Sequence, residues 1–231
     1  MRSRNPSAAA PAAVDPGFTA RDCAPGAAAD ADLLAALVAD GPDRLEPERA
    51  RRWAAAALAR FGGIGPVLQA DARDLAGVAG FRSGDGVRLR AAHELLLRAL
   101  RERLERGPVL SSPRTVAHYL QHILACRPHE VFAALFLDAQ HRLLAFEELF
   151  RGTLTQTAVY PREVVKRALA HNAAGLILAH NHPSGTTEPS AADEALTRSL
   201  AEALALVDIR VVDHIIVAQG ASLSFAEHGL I

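Results

Sequence analysis

An α/β fold is what the 231 residues predict, on three grounds. Short, unbroken apolar runs occur at 131–137, at 174–179 and within 208–220, and runs of that length closed off by polar turn residues read as buried strands. Between them lie segments whose apolar residues recur at helical spacing, such as Val116, Leu120, Ile123 and Leu124, so helices flank the sheet. From 30 to 107 only helical patterns occur. That sets a small all-helical domain ahead of the α/β domain at 108–231, with Gly107-Pro108 as the boundary.

Composition narrows the class. A formal net charge of −1 gives no bulk attraction to nucleic acid or to a membrane surface. Two cysteines, Cys23 and Cys126, and the lack of a secretory signal pattern lead to an expected place in a reducing cytoplasm. No apolar run reaches the length that spans a bilayer.

Residues 1–29 are rich in Ala, Pro, Ser and Gly with neither periodicity. Such a segment cannot bury enough surface to offset its ordering entropy, so a disordered tail carrying Cys23 is expected. A short amphipathic helix follows from Asp30, stopped by Gly41. A second starts at Pro47, with Trp53, Leu58 and Phe61 as apolar anchors and Gly62-Gly63 as its stop. Further helices are expected within 70–80 and 87–107. The glycine links at 63–65 and 77–80 look like the turns of helix-hairpin-helix modules, whose main-chain amides contact phosphate. Over 30–107, however, thirteen arginines face twelve acidic residues, a net of +1, and the basic footprint of a nucleic-acid binder is missing. A helical bundle that docks on protein is the favoured reading of this region.

In the α/β domain, Ser111-Ser112-Pro113 opens a helix that runs to about Cys126. His118 and His122 lie four apart on it, and with no third ligand in sight they are read as surface or interface residues. Glu130 stands just where the chain enters the strand at 131–137. A second strand, 142–148, ends in Glu147 and Glu148. Residues 153–160 suit an extended edge. Pro161 then fits the first turn of a helix at 162–172, Glu163 complements its N-terminal dipole, and Arg162 is expected to anchor it by a salt bridge. The last strand carries Asp213-His214 inside an apolar run, and His228 is expected at the surface.

The strand at 174–179 ends abruptly in His180-Asn181-His182-Pro183. Successive strand side chains alternate between faces, so His180 and His182 aim at one point. Pro183, Ser184 and Gly185 break the strand, and Pro189-Ser190 opens a helix that brings Asp193 back within its first turn. Two imidazoles and a carboxylate are the inventory of a catalytic zinc site, with a fourth position left for water. Taken singly, each feature has an ordinary structural reading: Ser190-x-x-Asp193 is also a capping box, although that motif prefers Glu or Gln at its third position.

Together these residues resemble the JAMM (MPN+) metalloprotease motif. With Phe150-Arg151-Gly152-Thr153, Val159-Tyr160-Pro161-Arg162-Glu163-Val164, His180-Asn181-His182-Pro183-Ser184-Gly185, Pro189-Ser190 and Asp213-His214-Ile215-Ile216-Val217 in this order, the chain resembles bacterial RadC-family proteins from about Val109 to Ile231. The resemblance implies an MPN (JAMM, cytidine-deaminase-like) mixed sheet flanked by helices. It also implies Zn2+ held by His180, His182 and Asp193, and Ser190 placed to steady a tetrahedral intermediate. Glu130 corresponds to the upstream glutamate of JAMM enzymes and is the favoured base, with Glu147 and Glu148 as rivals. Asp213 and His214 are read as groups that orient the ligands, or as structural residues with His214 a satisfied core histidine, rather than as ligands themselves. The activity so implied is hydrolysis of peptide or isopeptide bonds in a protein or peptide substrate. A DNA-repair accessory role, acting through DNA or protein, and a catalytically inert scaffold are the other two readings the resemblance brings.

Overall fold

The computed structural model describes residues 29–39, 46–109, 113–152 and 159–231. The expected tail with Cys23, the stop at Gly41, Ser111-Ser112 and most of the extended edge at 153–160 lie outside the described residues. Contacts divide the chain into two units between Leu89 and Arg90, whereas the helix that the sequence ends at Gly107 runs through that point.

The first unit is helical. It comprises α1 (Asp30–Ala39), α2 (Pro47–Phe61), α3 (Ile64–Gln69), α4 (Ala72–Ala76) and the start of α5 (Ser83–Arg106). Proline in its first turn starts α2, and Gly62, at φ 83°, ends it. That left-handed conformation is the one glycine adopts without a Cβ penalty. Ile64 and Gly65, expected within a glycine link, instead open a helix of their own that runs to Gln69. Trp53 packs at the centre with Leu34, Val38, Ala54, Leu75 and Leu89. Asp85 is buried here as well, between Arg82 at 2.8 Å and Arg88 at 3.2 Å, and Arg82 also donates to the Val38 carbonyl. A buried carboxylate with two guanidiniums ties the start of α5 to the end of α1.

The second unit is a mixed five-stranded sheet flanked by helices, the architecture the sequence predicts. After α6 (Pro113–Leu124) come β1 (Val131–Leu137), β2 (Leu143–Arg151), α7 (Pro161–Ala170), β3 (Gly175–Asn181), α8 (Ala191–Ala205), β4 (Arg210–Ala218) and β5 (Ala221–Ser224). The strand order is β2-β1-β3-β4-β5, antiparallel throughout except for β3 with β4. A parallel neighbour requires a long crossover, and α8 is that crossover. Every residue of β1 and β3 is buried, because helices cover both faces and the alternation of polar and apolar residues disappears. On one face, Ala133, Leu135, Ile177 and Ile215 meet Val116, Leu120 and Leu124 of α6. On the other, Phe132, Phe136, Leu176 and Leu178 meet Val164 and Ala168 of α7 and Leu200 and Leu204 of α8.

One side chain does otherwise than the sequence suggested. Among the described residues Arg162 pairs with its neighbour Glu163 alone, at 3.4 Å, in an exposed position. The bond between elements is made instead by Arg167, which donates to Glu147 on β2. His122 sits opposite His93 of α5, with ring centroids 5.7 Å apart, so α6 does have a histidine neighbour.

Candidate metal centre

The order of the strands explains where the site forms. β3 is central and ends at Asn181, and α8 starts ten residues later on the face that His180 and His182 share. His180 Nε2 lies 2.9 Å from His182 Nε2, and it lies 3.2 Å from Asp193 Oδ1. His182 Nε2 is 3.7 Å from Asp193 Oδ2. Among the described residues this is the one group of three or more His, Cys, Asp or Glu side chains close enough to share an ion.

Each donor is oriented by a second bond. The ring of His182 meets the Thr186 carbonyl through Nδ1 at 3.0 Å. A carbonyl can only accept, so Nδ1 holds the proton and Nε2 turns its lone pair to the centre. Asp193 is held by a reciprocal capping box: Ser190 donates to Oδ2 from its main-chain nitrogen at 2.8 Å and from its hydroxyl at 2.6 Å, while Asp193 N donates to Ser190 Oγ. Ser190 is thus the helix cap and a brace for the carboxylate at once, and aspartate serves at the third position. His180 Nδ1 lies 2.8 Å from Nε2 of the fully buried His214.

Electrostatics follow from this crowding. Burial by itself would raise the Asp193 carboxyl, but the adjacent His180 and His182 rings and the hydrogen bonds from Ser190 hold it well below the usual carboxylate range. The nearby Asp193 carboxylate in turn raises the His182 imidazole, against the opposing effect of burial, and the charge of Glu130 adds to the rise. Two nitrogen lone pairs and an ionised carboxylate meeting at one point repel one another unless a cation lies between them. Imidazole and carboxylate together suit a transition metal or zinc. The residues present therefore fit a metal ion.

Glu130 stands at the rim. Phe132 pairs with His180, and continuing that antiparallel register by two residues sets Glu130 across from His182. The loop carrying it is fastened by Asn181. From a fully buried position, the Asn181 side chain accepts from Val131 N at 2.8 Å and donates to the His129 carbonyl at 3.1 Å. Glu147 and Glu148 are engaged elsewhere: Glu147 with Arg167 and His171, Glu148 with Arg127 and Arg151. The hydrogen bond from Arg167 is the main reason that the Glu147 carboxyl is pushed down to about 2.

Asp213 and His214 part company. His214 faces His180, whereas Asp213 accepts from Ser224 Oγ at 2.6 Å and from Ala226 N, which pins the chain after β5. Asp213 also lines a cavity of about 470 Å³ on the α6 face, away from the histidines. Sequence reasoning missed Asn181 and Thr197. The second of these, buried in α8, lies 2.6 Å from His214 Nδ1. For Asn181 a signal existed, since an amide flanked by two functional residues on a buried strand must find partners for its own polar atoms.

Comparison with known proteins agrees with this geometry. Residues 110–230 match the family model described as RadC-like JAB domain, a JAMM-type, metal-associated domain. A UPF0758 protein of Methylibium petroleiphilum is 58% identical over 207 residues, which cover 90% of this chain and 92% of that protein. A UPF0758 protein of Leptothrix cholodnii is 54% identical over 221 residues, covering 96% and 98%. One from Acidovorax sp. is 53% identical over 218 residues. Likeness on that scale, running well beyond the matched domain into the helical unit, makes the chain a member of the RadC family.

Proposed function

We propose that this chain is a zinc-dependent hydrolase of peptide or isopeptide bonds, with His180, His182 and Asp193 as the ligands. The supporting observation is the convergence of two imidazole nitrogens and a carboxylate that pairs with no lysine or arginine among the described residues. Two nitrogens and one oxygen leave a tetrahedral ion one open position, the mark of a catalytic site. An ion held there supplies Lewis acidity, which activates water and polarises a carbonyl.

The chain's own residues do the rest. Glu130, across from His182 and held in place through Asn181, takes the proton from the attacking water and delivers it to the leaving amine. Ser190 donates its hydroxyl to the carbonyl oxygen as negative charge develops there. In the structure that hydroxyl is bonded to Asp193, so it turns from the carboxylate to the substrate during the reaction. The substrate is a polypeptide whose scissile amide reaches the end of β3.

Glu130→Gln separates binding from chemistry. The variant is expected to hold about one zinc per chain, as the wild type does, while hydrolysis of a panel of peptides and isopeptide-linked conjugates falls by roughly 10² to 10⁴. Chelation should abolish wild-type turnover and added zinc should restore it. Unchanged turnover in Glu130→Gln, or a wild type that takes up no zinc, sinks the proposal.

A further inference from the structure

Behind the metal ligands runs a chain of hydrogen bonds whose proton positions are fixed from one end. Thr197 Oγ1 is 2.7 Å from the Asp193 carbonyl, four residues back in α8. A carbonyl oxygen has no proton to give, so Thr197 spends its single hydroxyl proton there. Its other contact is His214 Nδ1 at 2.6 Å. Having donated already, Thr197 can only accept, and His214 Nδ1 must carry a proton. His214 is fully buried and Thr197 nearly so, at 2% exposure, so no water competes for either atom. The buried His214 ring hydrogen-bonds to no carboxylate among the described residues, so it keeps that one ring proton, its Nε2 is bare, and the group 2.8 Å away, His180 Nδ1, must donate to it. His180 Nε2 is then left with a lone pair, aimed at His182 and Asp193.

We infer that Thr197 and His214 are positioning residues that lock His180 into the tautomer a metal ion requires, and that they do so by referring its ring to the main chain of Asp193. The chain begins at one ligand and ends at another. It links the helix that carries the carboxylate to the strand that carries the imidazole, 13 residues apart in sequence. A ligating histidine that donates its second nitrogen to a fixed acceptor is held in orientation and made more basic. Here the acceptor is a second histidine whose own tautomer is set by a hydroxyl. The reverse tautomer of His214 would put a proton on Nε2, force His180 Nδ1 to accept, and leave a proton on the nitrogen that faces the centre.

This inference rests on the metal-binding reading, and its test keeps the two apart. Thr197→Val keeps the shape of the side chain and removes the hydroxyl, while Thr197→Ser keeps the hydroxyl. In competition with a chromophoric chelator, zinc affinity is expected to fall roughly 10- to 100-fold in Thr197→Val and to stay within about threefold of wild type in Thr197→Ser, a rescue that a packing role alone would not produce. Equal affinity in wild type and Thr197→Val overturns the inference. Independently, the ring ¹⁵N spectrum of the zinc-free wild-type protein is expected to show His214 protonated at Nδ1 and bare at Nε2. The opposite tautomer overturns the inference whether or not either variant folds. A wild type that takes up no zinc fails the hydrolase proposal while leaving this spectrum to decide the hydrogen-bond chain.

Discussion

Two clusters on one sheet combine a carboxylate with histidine, and they differ in where the positive charge comes from. At β2 and α7, Glu147 receives hydrogen bonds from Arg167 and meets His171 at 2.7 Å. A guanidinium with permanent charge answers the carboxylate, and the cluster is electrically complete. At β3 and α8, Asp193 meets His180, His182 and Ser190. No arginine or lysine pairs with it among the described residues. The first cluster fastens a helix to an edge strand. The second, built from similar parts but without its own cation, is a receptor for one.

The largest way to break this contrast is Asp193→Asn. Removing the charge while keeping the shape is expected to lower zinc affinity by at least about 10²-fold, whereas Glu147→Gln is expected to leave it within about twofold. Chelator competition on the two variants measures both, and equal losses would dissolve the distinction. Ser190→Ala comes next. It removes the cap and the brace together, so denaturant unfolding should show a loss of about 0.5 to 2 kcal/mol, and hydrolysis per folded molecule should fall as well. Intact hydrolysis with reduced stability would leave Ser190 as a cap alone.

The smallest effect is the pH dependence of the completed cluster. Folding lowers the Glu147 carboxyl from 4.5 to about 2, chiefly through the Arg167 hydrogen bond. A carboxyl lowered in this way adds stability above its unfolded value, and that contribution drains away as the pH falls from about 4.5 towards 2. Wild type and Glu147→Gln should therefore melt apart at pH 6 and converge near pH 2 to 3. The gap is small, as it is for exposed ion pairs, and a gap that persists in acid would trace to something other than this charge.

Much of the second unit was legible because its signals are local. The runs at 131–137 and 174–179 appear as β1 and β3, and the two-residue spacing of His180 and His182 puts both on one face whatever the rest of the chain does. Asp193 followed from a turn and a helix start only a few residues on. What escaped is long-range. Asn181 meets Val131 across 50 residues and His214 meets Thr197 across 17, and no periodicity announces such partners. Arg167 was readable in principle. Val164, Arg167, Ala168 and His171 fall at helical spacings of three and four, so the exposed arginine borders the buried stripe of Val164 and Ala168 and can reach β2. The family resemblance supplied Glu130, which the strand pattern alone leaves as a polar residue at a strand entrance.

The alternation along β3 has a consequence for assembly. His180 and His182 look one way, and between them Asn181 fastens the loop that bears Glu130. Were the strand to slide by a single residue, the amide would take the place of the imidazoles and both rings would turn to the wrong side. No partly slipped sheet retains a usable set of donors, so the three groups meet only in molecules whose central strand is threaded correctly.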